Sequence, residues 1–171
     1  MQSATTFEVR RANASDLDLL VAFNQAMAQE TEGKMLDPAI LRAGINSVLS
    51  ESRRGFYLVA EAAASVVGCL MITYEWSDWR NGDWWWIQSV YVDPNYRRAG
   101  VFRTMYAEIE RVARAAPGVV GLRLYVEREN IRAQETYAVL GMHAAHYSMW
   151  ERGFFEGAVG DDQIVASQRA S

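Results

Sequence analysis

Three consecutive segments constrain the fold most: an apolar strand at Trp84–Val92, an amphipathic helix at Gly100–Ala115 and a second apolar strand at Val119–Val126. A strand, helix and strand joined by short turns make a crossover, and its two strands pair in parallel in one sheet. The helix carries Val101, Met105, Ile109 and Val112 on one face, with Arg103, Glu110, Arg111 and Arg114 elsewhere. Pro117-Gly118 ends it.

The remaining elements follow from periodicity and punctuation. Phe7–Arg11 reads as a short strand. Ser15 is the expected N-cap of a helix with Asp18 three residues on, and Leu17, Leu20, Val21, Asn24 and Met27 follow at helical spacing. Asp37-Pro38 starts a second helix, with Ile40, Leu41, Ile45, Val48 and Leu49 as its apolar stripe and Gly55 as its end. Phe56–Glu61 and Val66–Glu75 read as strands around a turn at Ala62–Ser65. Ser77–Asp83, with an Asn-Gly step, turns into Trp84–Val92 as the third strand of a meander. Asn130–Leu140 reads as a short helix closed by Gly141, and Met142–Trp150 as a last strand. The expected order is β-α-α-β-β-β-α-β-α-β. It implies a single mixed α/β sheet with helices on both faces, one domain over 1–152, and a loosely ordered tail over 153–171. A ligand is expected beyond the carboxyl ends of the parallel strands, at Val92 and Val126.

The first of those ends carries the chemistry. Val92 runs into Asp93-Pro94-Asn95, then Arg97, Arg98 and Gly100 at the helix start. The first N–H groups of a helix have no internal partner, and the helix dipole favours negative charge there. Glycine lets the backbone approach a ligand without a Cβ in the way. The pattern suits a phosphate-bearing ligand; it is neither a Walker loop nor the three-glycine dinucleotide fingerprint. It also reads as a solvated basic turn.

Composition excludes several classes. The net charge of −4 argues against general nucleic-acid binding. Cys69 is a lone cysteine in an apolar run, so no disulfide or cysteine metal site is expected. His143 and His146, three apart on the expected last strand, would face opposite sides and cannot chelate together. No metal is expected. The start lacks the apolar core of a signal peptide, no run reaches a membrane span, and the cytoplasm is the expected compartment.

Val92–Phe102 resembles the coenzyme A loop of the GNAT acyltransferases, Arg/Gln-x-x-Gly-x-Gly/Ala, with Phe102 departing from the small residue usual at its last place. Asn130–Met142 resembles a second motif of that family, Asn-x-x-Ala-x-x-Phe-Tyr-x-x-x-Gly-Phe, with Thr136 and Met142 substituted. The two come in the family's order, and the element order matches the GNAT fold from Phe7 to Trp150. The resemblance implies an N-acetyltransferase using acetyl-CoA. Backbone groups of Val90, Tyr91 and Val92 would bind the acetyl and pantetheine part, with the Val92 N–H as oxyanion donor. The turn from Arg97 through Arg98, Ala99, Gly100, Val101 and Phe102 to Arg103 would cradle the pyrophosphate. Asn130 would hydrogen-bond the pantetheine arm, and Tyr137 would protonate the departing thiolate.

The acceptor is implied to be a primary amine, a small cationic molecule by similarity of Thr73–Val92 to diamine-type members. Those place acids where this chain has Gln88 and Ser89. An amine of pKa near 10 is about three units too protonated at pH 7, a cost of about 4 kcal/mol, so a carboxylate or water must take its proton. Glu30 and Glu75 are the first candidates for that base. Glu32, Trp76 and Gln88 are candidates for the acceptor site, and Asp78 and Asp83 could serve as further acids. Taken singly, each acid reads more readily as a solvated turn charge. Trp76, Trp79, Trp84, Trp85 and Trp86 offer core, an aromatic wall for a cation, or an interface between two copies of the chain. The competing readings are a coenzyme A-binding module without catalysis and an acetyltransferase of protein lysines or N-termini.

Overall fold

A computed structural model of the protein describes residues 6–154. The chain divides into two compact units, Met1–Ile131 and Arg132–Ser171. In the first unit, five strands form one sheet in sequence order: β1 (Glu8–Arg11), β2 (Phe56–Ala62), β3 (Ser65–Ser77), β4 (Gly82–Val92) and β5 (Val119–Arg123). Neighbours among β1 to β4 are antiparallel, and β5 joins β4 in parallel across α3 (Val101–Ala115). Helices α1 (Leu17–Glu32) and α2 (Pro38–Ser50) lie between β1 and β2 in the chain.

Helices cover both faces of this sheet, as expected. On one face Leu20 and Phe23 of α1 and Ile45 of α2 pack with Tyr57, Val59, Cys69 and Tyr91. On the other, α3 buries Val101, Met105 and Ile109 almost completely. Its approach is close: a Cβ at Gly68 of β3 would stand 3.1 Å from Val101 and 3.5 Å from Met105. Each such aliphatic side chain contributes about 1.5–3 kcal/mol on burial, so the stripe read from sequence is what seats α3 on the sheet.

Several boundaries differ from the sequence reading. Ser15 is not the N-cap. Asn13 caps a 3₁₀ turn at Ala14–Asp16 in a reciprocal capping box with Asp16, and α1 starts one residue later. Arg10 of β1 holds the Asp16 carboxylate at 2.8 and 2.9 Å, which explains why the start is set there. Helix α2 stops at Ser50, and a turn over 52–54 precedes Gly55. Strand β5 ends at Arg123, three residues short of Val126.

In the second unit, helix α4 (Ile131–Val139) begins at the unit boundary and is followed by a turn at Leu140-Gly141. The expected strand Met142–Trp150 is absent: these residues form no ladder. The segment contains no Val, Ile or Thr, and extended chain without a paired neighbour is not stabilised as a strand. His143 and His146 are both exposed there. Of the expected tail, residues 155–171 lie outside the described residues.

Candidate active site

The parallel pairing of β4 with β5 runs from Asp83↔Val119 to Trp86↔Arg123 and then stops. Among the described residues, β4 from Ile87 to Val92 pairs only with β3. Within this stretch lies a β-bulge. Between the pairs Met71↔Gln88 and Cys69↔Tyr91, β3 places Leu70 alone while β4 places Ser89 and Val90. Ser89 takes φ +49, a left-handed conformation unusual for a side-chain-bearing residue. The Cys69 thiol lies 3.8 Å from the Ser89 carbonyl. Burial pushes both Tyr57 and Cys69 up to about 12, so both remain protonated at neutral pH.

The last residue of β4 presents its backbone to the open edge. The Asp93 N–H bonds to the Val67 carbonyl of β3 at 2.9 Å. Backbone polar groups alternate sides along a strand, so the N–H and C=O of Val92 point away from β3. The chain then makes a 3₁₀ turn, Pro94–Tyr96, with the Asp93 carboxylate accepting from the Asn95 N–H at 2.8 Å. Arg98 has φ +64 and Gly100 has φ +96. Gly100 is the N-cap of α3 and offers no capping side chain, so the first-turn N–H groups are left for a ligand or solvent. A Cβ at Gly100 would meet nothing within 4 Å; the glycine is required by its backbone angle rather than by crowding.

Phe102 has its ring 6.2 Å from that of Tyr106, one turn along α3. It leans along the helix, beside the buried stripe of Val101, Met105 and Ile109. Arg98, Ala99 and Arg103 are exposed at the mouth of the turn. Arg97 points elsewhere. Its Nε donates to the Val92 carbonyl at 2.9 Å, its Nη2 meets Glu30 Oε2 at 2.6 Å, and its guanidinium carbon lies 5.6 Å from the Tyr91 ring centre. The Tyr91 hydroxyl makes a long contact to Glu30 Oε1, 3.4 Å. Burial, then the Glu30 charge, raise the Tyr91 phenol above its ordinary value.

Farther along the same face of β4 lies a second cluster. Glu75 of β3 pairs in register with Trp84, and Thr73 with Trp86. One Glu75 oxygen accepts from the Trp86 indole N–H; the other accepts from Arg123 Nη1 at 2.7 Å. The Trp86 hydrogen bond, with Arg123 beside it, holds the Glu75 carboxyl below the usual carboxylate range. Arg123 also lies 4.1 Å from the Trp84 ring centre, and Tyr125 flanks Trp86 at 6.0 Å. Gln88 sits between the two clusters and donates to the Thr73 hydroxyl.

Other expected residues are not gathered here. Trp76 pairs with Asp83 and so faces the side of β3 opposite Glu75. Trp85 is core, edge-on to Phe56 at 5.3 Å. Glu32 pairs with Lys34 at 2.7 Å beyond the end of α1. Asn130 immediately precedes α4. Tyr137 belongs to the second unit, and burial raises its phenol above the ordinary value.

Of these side chains the sequence reading passed over Arg123, while Trp86 stood among the five tryptophans with several readings. Arg123 had a signal, as the one charge in the apolar run Val119–Val126. Among the described residues no cluster of three or more His, Cys, Asp or Glu is arranged to hold a metal ion, and no helix is long and apolar enough to cross a membrane.

Residues 21–142 match the model of the Acetyltransferase (GNAT) family. No curated protein sequence matches the chain. Among solved structures, a "possible acetyltransferase" from Clostridium difficile 630 is 45% identical, with a TM-score of 0.82 over 88% of this chain and 99% of that one. The aminoglycoside N-acetyltransferase AAC(6')-Iy, solved in complex with CoA, shares the fold at 14% identity, with a TM-score of 0.72 over 90% and 98% of the two chains. A ribosomal-protein-alanine N-acetyltransferase from Brucella melitensis biovar Abortus 2308 does so at 16% identity, with a TM-score of 0.71 over 88% and 100%.

Proposed function

The chain belongs to the GNAT family of acetyltransferases, which implies acetyl transfer from acetyl-CoA, and from that premise we propose that it acetylates a small cationic primary amine. The observation that carries this reading is the continuous run from the open edge of β4 into the uncapped start of α3. An extended pantetheine arm can add to an unpaired strand edge through main-chain hydrogen bonds. A pyrophosphate suits the helix start beyond it. Val90, Tyr91 and Val92 bind the thioester end, and the backbone from Arg98 to Arg103 takes the pyrophosphate. Phe102 has its ring 6.2 Å from that of Tyr106, and main-chain N–H groups rather than its side chain serve the anion in this reading. Asn130 holds the pantetheine arm.

On the acceptor side, Glu75 anchors the ammonium. A carboxylate stabilised by two donors is a weak base but a good partner for a cation, and Trp86 adds an aromatic flank. Water carries off the amine proton. The neutral nitrogen attacks the thioester carbonyl carbon, forming the C–N bond. The Val92 N–H, which faces the open edge, stabilises the oxyanion. The C–S bond then breaks as the nitrogen sheds its second proton to water; Tyr137, whose phenol burial raises above its ordinary value, gives its proton to the departing thiolate and recovers one from solvent.

The direct test is thiol release from acetyl-CoA across a panel of polyamines, amino acids and aminoglycosides. Release with at least one cationic amine is expected. Acetyl-CoA binding without release on any amine would favour the non-catalytic module, and no binding at all would remove the reading.

A further inference from the structure

The acetyl-CoA edge and helix α1 are joined by one arginine. Arg97 opens the anion turn, yet its side chain turns back from the mouth where Arg98 and Arg103 stand exposed. It grips the Val92 carbonyl, the last of the open edge, at 2.9 Å, and Glu30 in the last turn of α1 at 2.6 Å. The Tyr91 ring lies beneath the guanidinium, packed in turn against Phe23 of α1 at 4.9 Å. Glu30, Tyr91 and Arg97 thus connect three elements: α1, the strand edge and the turn leading to α3.

Resting on the acetyl-CoA reading above, we propose that Glu30 and Arg97 are positioning residues that set the spacing between the thioester edge and the pyrophosphate turn. A flexible turn binds a ligand more weakly because its ordering is deferred to the binding step. Arg97 removes that freedom by tying the turn to the strand it leaves, and Glu30 fixes the arginine. The arrangement also gives Glu30 a role other than proton abstraction. Its two oxygens are directed to Arg97 and Tyr91, within the framework rather than toward a bound amine.

Calorimetric titration with acetyl-CoA separates the two roles without relying on turnover. Both side chains of the pair are 42% exposed, so the effect is moderate. Glu30→Ala should weaken acetyl-CoA binding about fivefold, the equivalent of about 1 kcal/mol, and raise the KM for acetyl-CoA without altering the pH profile of kcat. Glu30→Gln still offers Arg97 an acceptor and should recover most of the affinity, although it has lost any basic function. An unchanged Kd in Glu30→Ala overturns the proposal. So does a collapse of kcat in both variants with loss of the acidic limb of the profile, which would make Glu30 the base. If the unmodified protein fails to bind acetyl-CoA, the functional reading falls; if it binds and both variants match it, only this inference does.

Discussion

Strand β4 serves two regions built from different materials. Along its open edge the groups available to a ligand are main-chain ones: the N–H of Val92, the bulge at Ser89–Val90 and the uncapped first turn of α3. On its face the groups are side chains already engaged with one another, Glu75 with Trp86 and Arg123, and Gln88 with Thr73. The edge can take any ligand with an extended arm and an anion. The face is committed to particular charges. A cofactor common to a family suits the first kind of site, and an acceptor that differs between members suits the second.

The comparison breaks most visibly at Tyr137. Tyr137→Phe should lower kcat about 100-fold while acetyl-CoA affinity measured by titration stays unchanged, since the proposed cofactor contacts do not include its hydroxyl. Unchanged turnover would remove the phenol from the chemistry. Gly100→Val should act the other way. At φ +96 a β-branched residue is strained, and the distorted helix start should weaken acetyl-CoA binding about tenfold with little change in amine selectivity. Equal affinity would show that the α3 N-terminus is not the cradle.

Glu75→Gln should produce the smallest effect, raising the amine KM about fivefold with acetyl-CoA Kd unaltered. The pH dependence sharpens it. The carboxyl is held below its ordinary range in the folded protein, so the charged form persists as pH falls through about 4.3, the unperturbed value. Amine affinity is lost only below that. Trp86→Phe removes the first cause of the lowering and should move the loss to higher pH. A profile indifferent to Trp86 would detach Glu75 from the acceptor.

The same division explains what the sequence disclosed. The anion turn is local: Arg97 to Gly100 and the apolar stripe of α3 are consecutive in the chain and determine their own geometry. The bulge at Ser89 is not local, since it depends on β3 supplying one residue where β4 supplies two. Glu75, Trp86 and Arg123 meet only through the register of three strands, and 48 residues separate Glu75 from Arg123. The side-chain direction of Arg97 was likewise hidden, because its partner Glu30 lies 67 residues away. Phe102 departs from the motif's small residue, and the neighbour of its ring, Tyr106 at 6.2 Å, shows only once the helix is built. The expected strand at Met142–Trp150 failed for the converse reason: an apolar run was read without a partner to pair with it.

Amide hydrogen exchange with and without acetyl-CoA tests the central claim most directly. If the open edge of β4 and the start of α3 hold the cofactor, protection should rise together at Val90–Val92 and at Val101–Arg103, and little along the β3–β4 hairpin near Trp79. Binding that protects neither segment, or only one of them, would contradict the account.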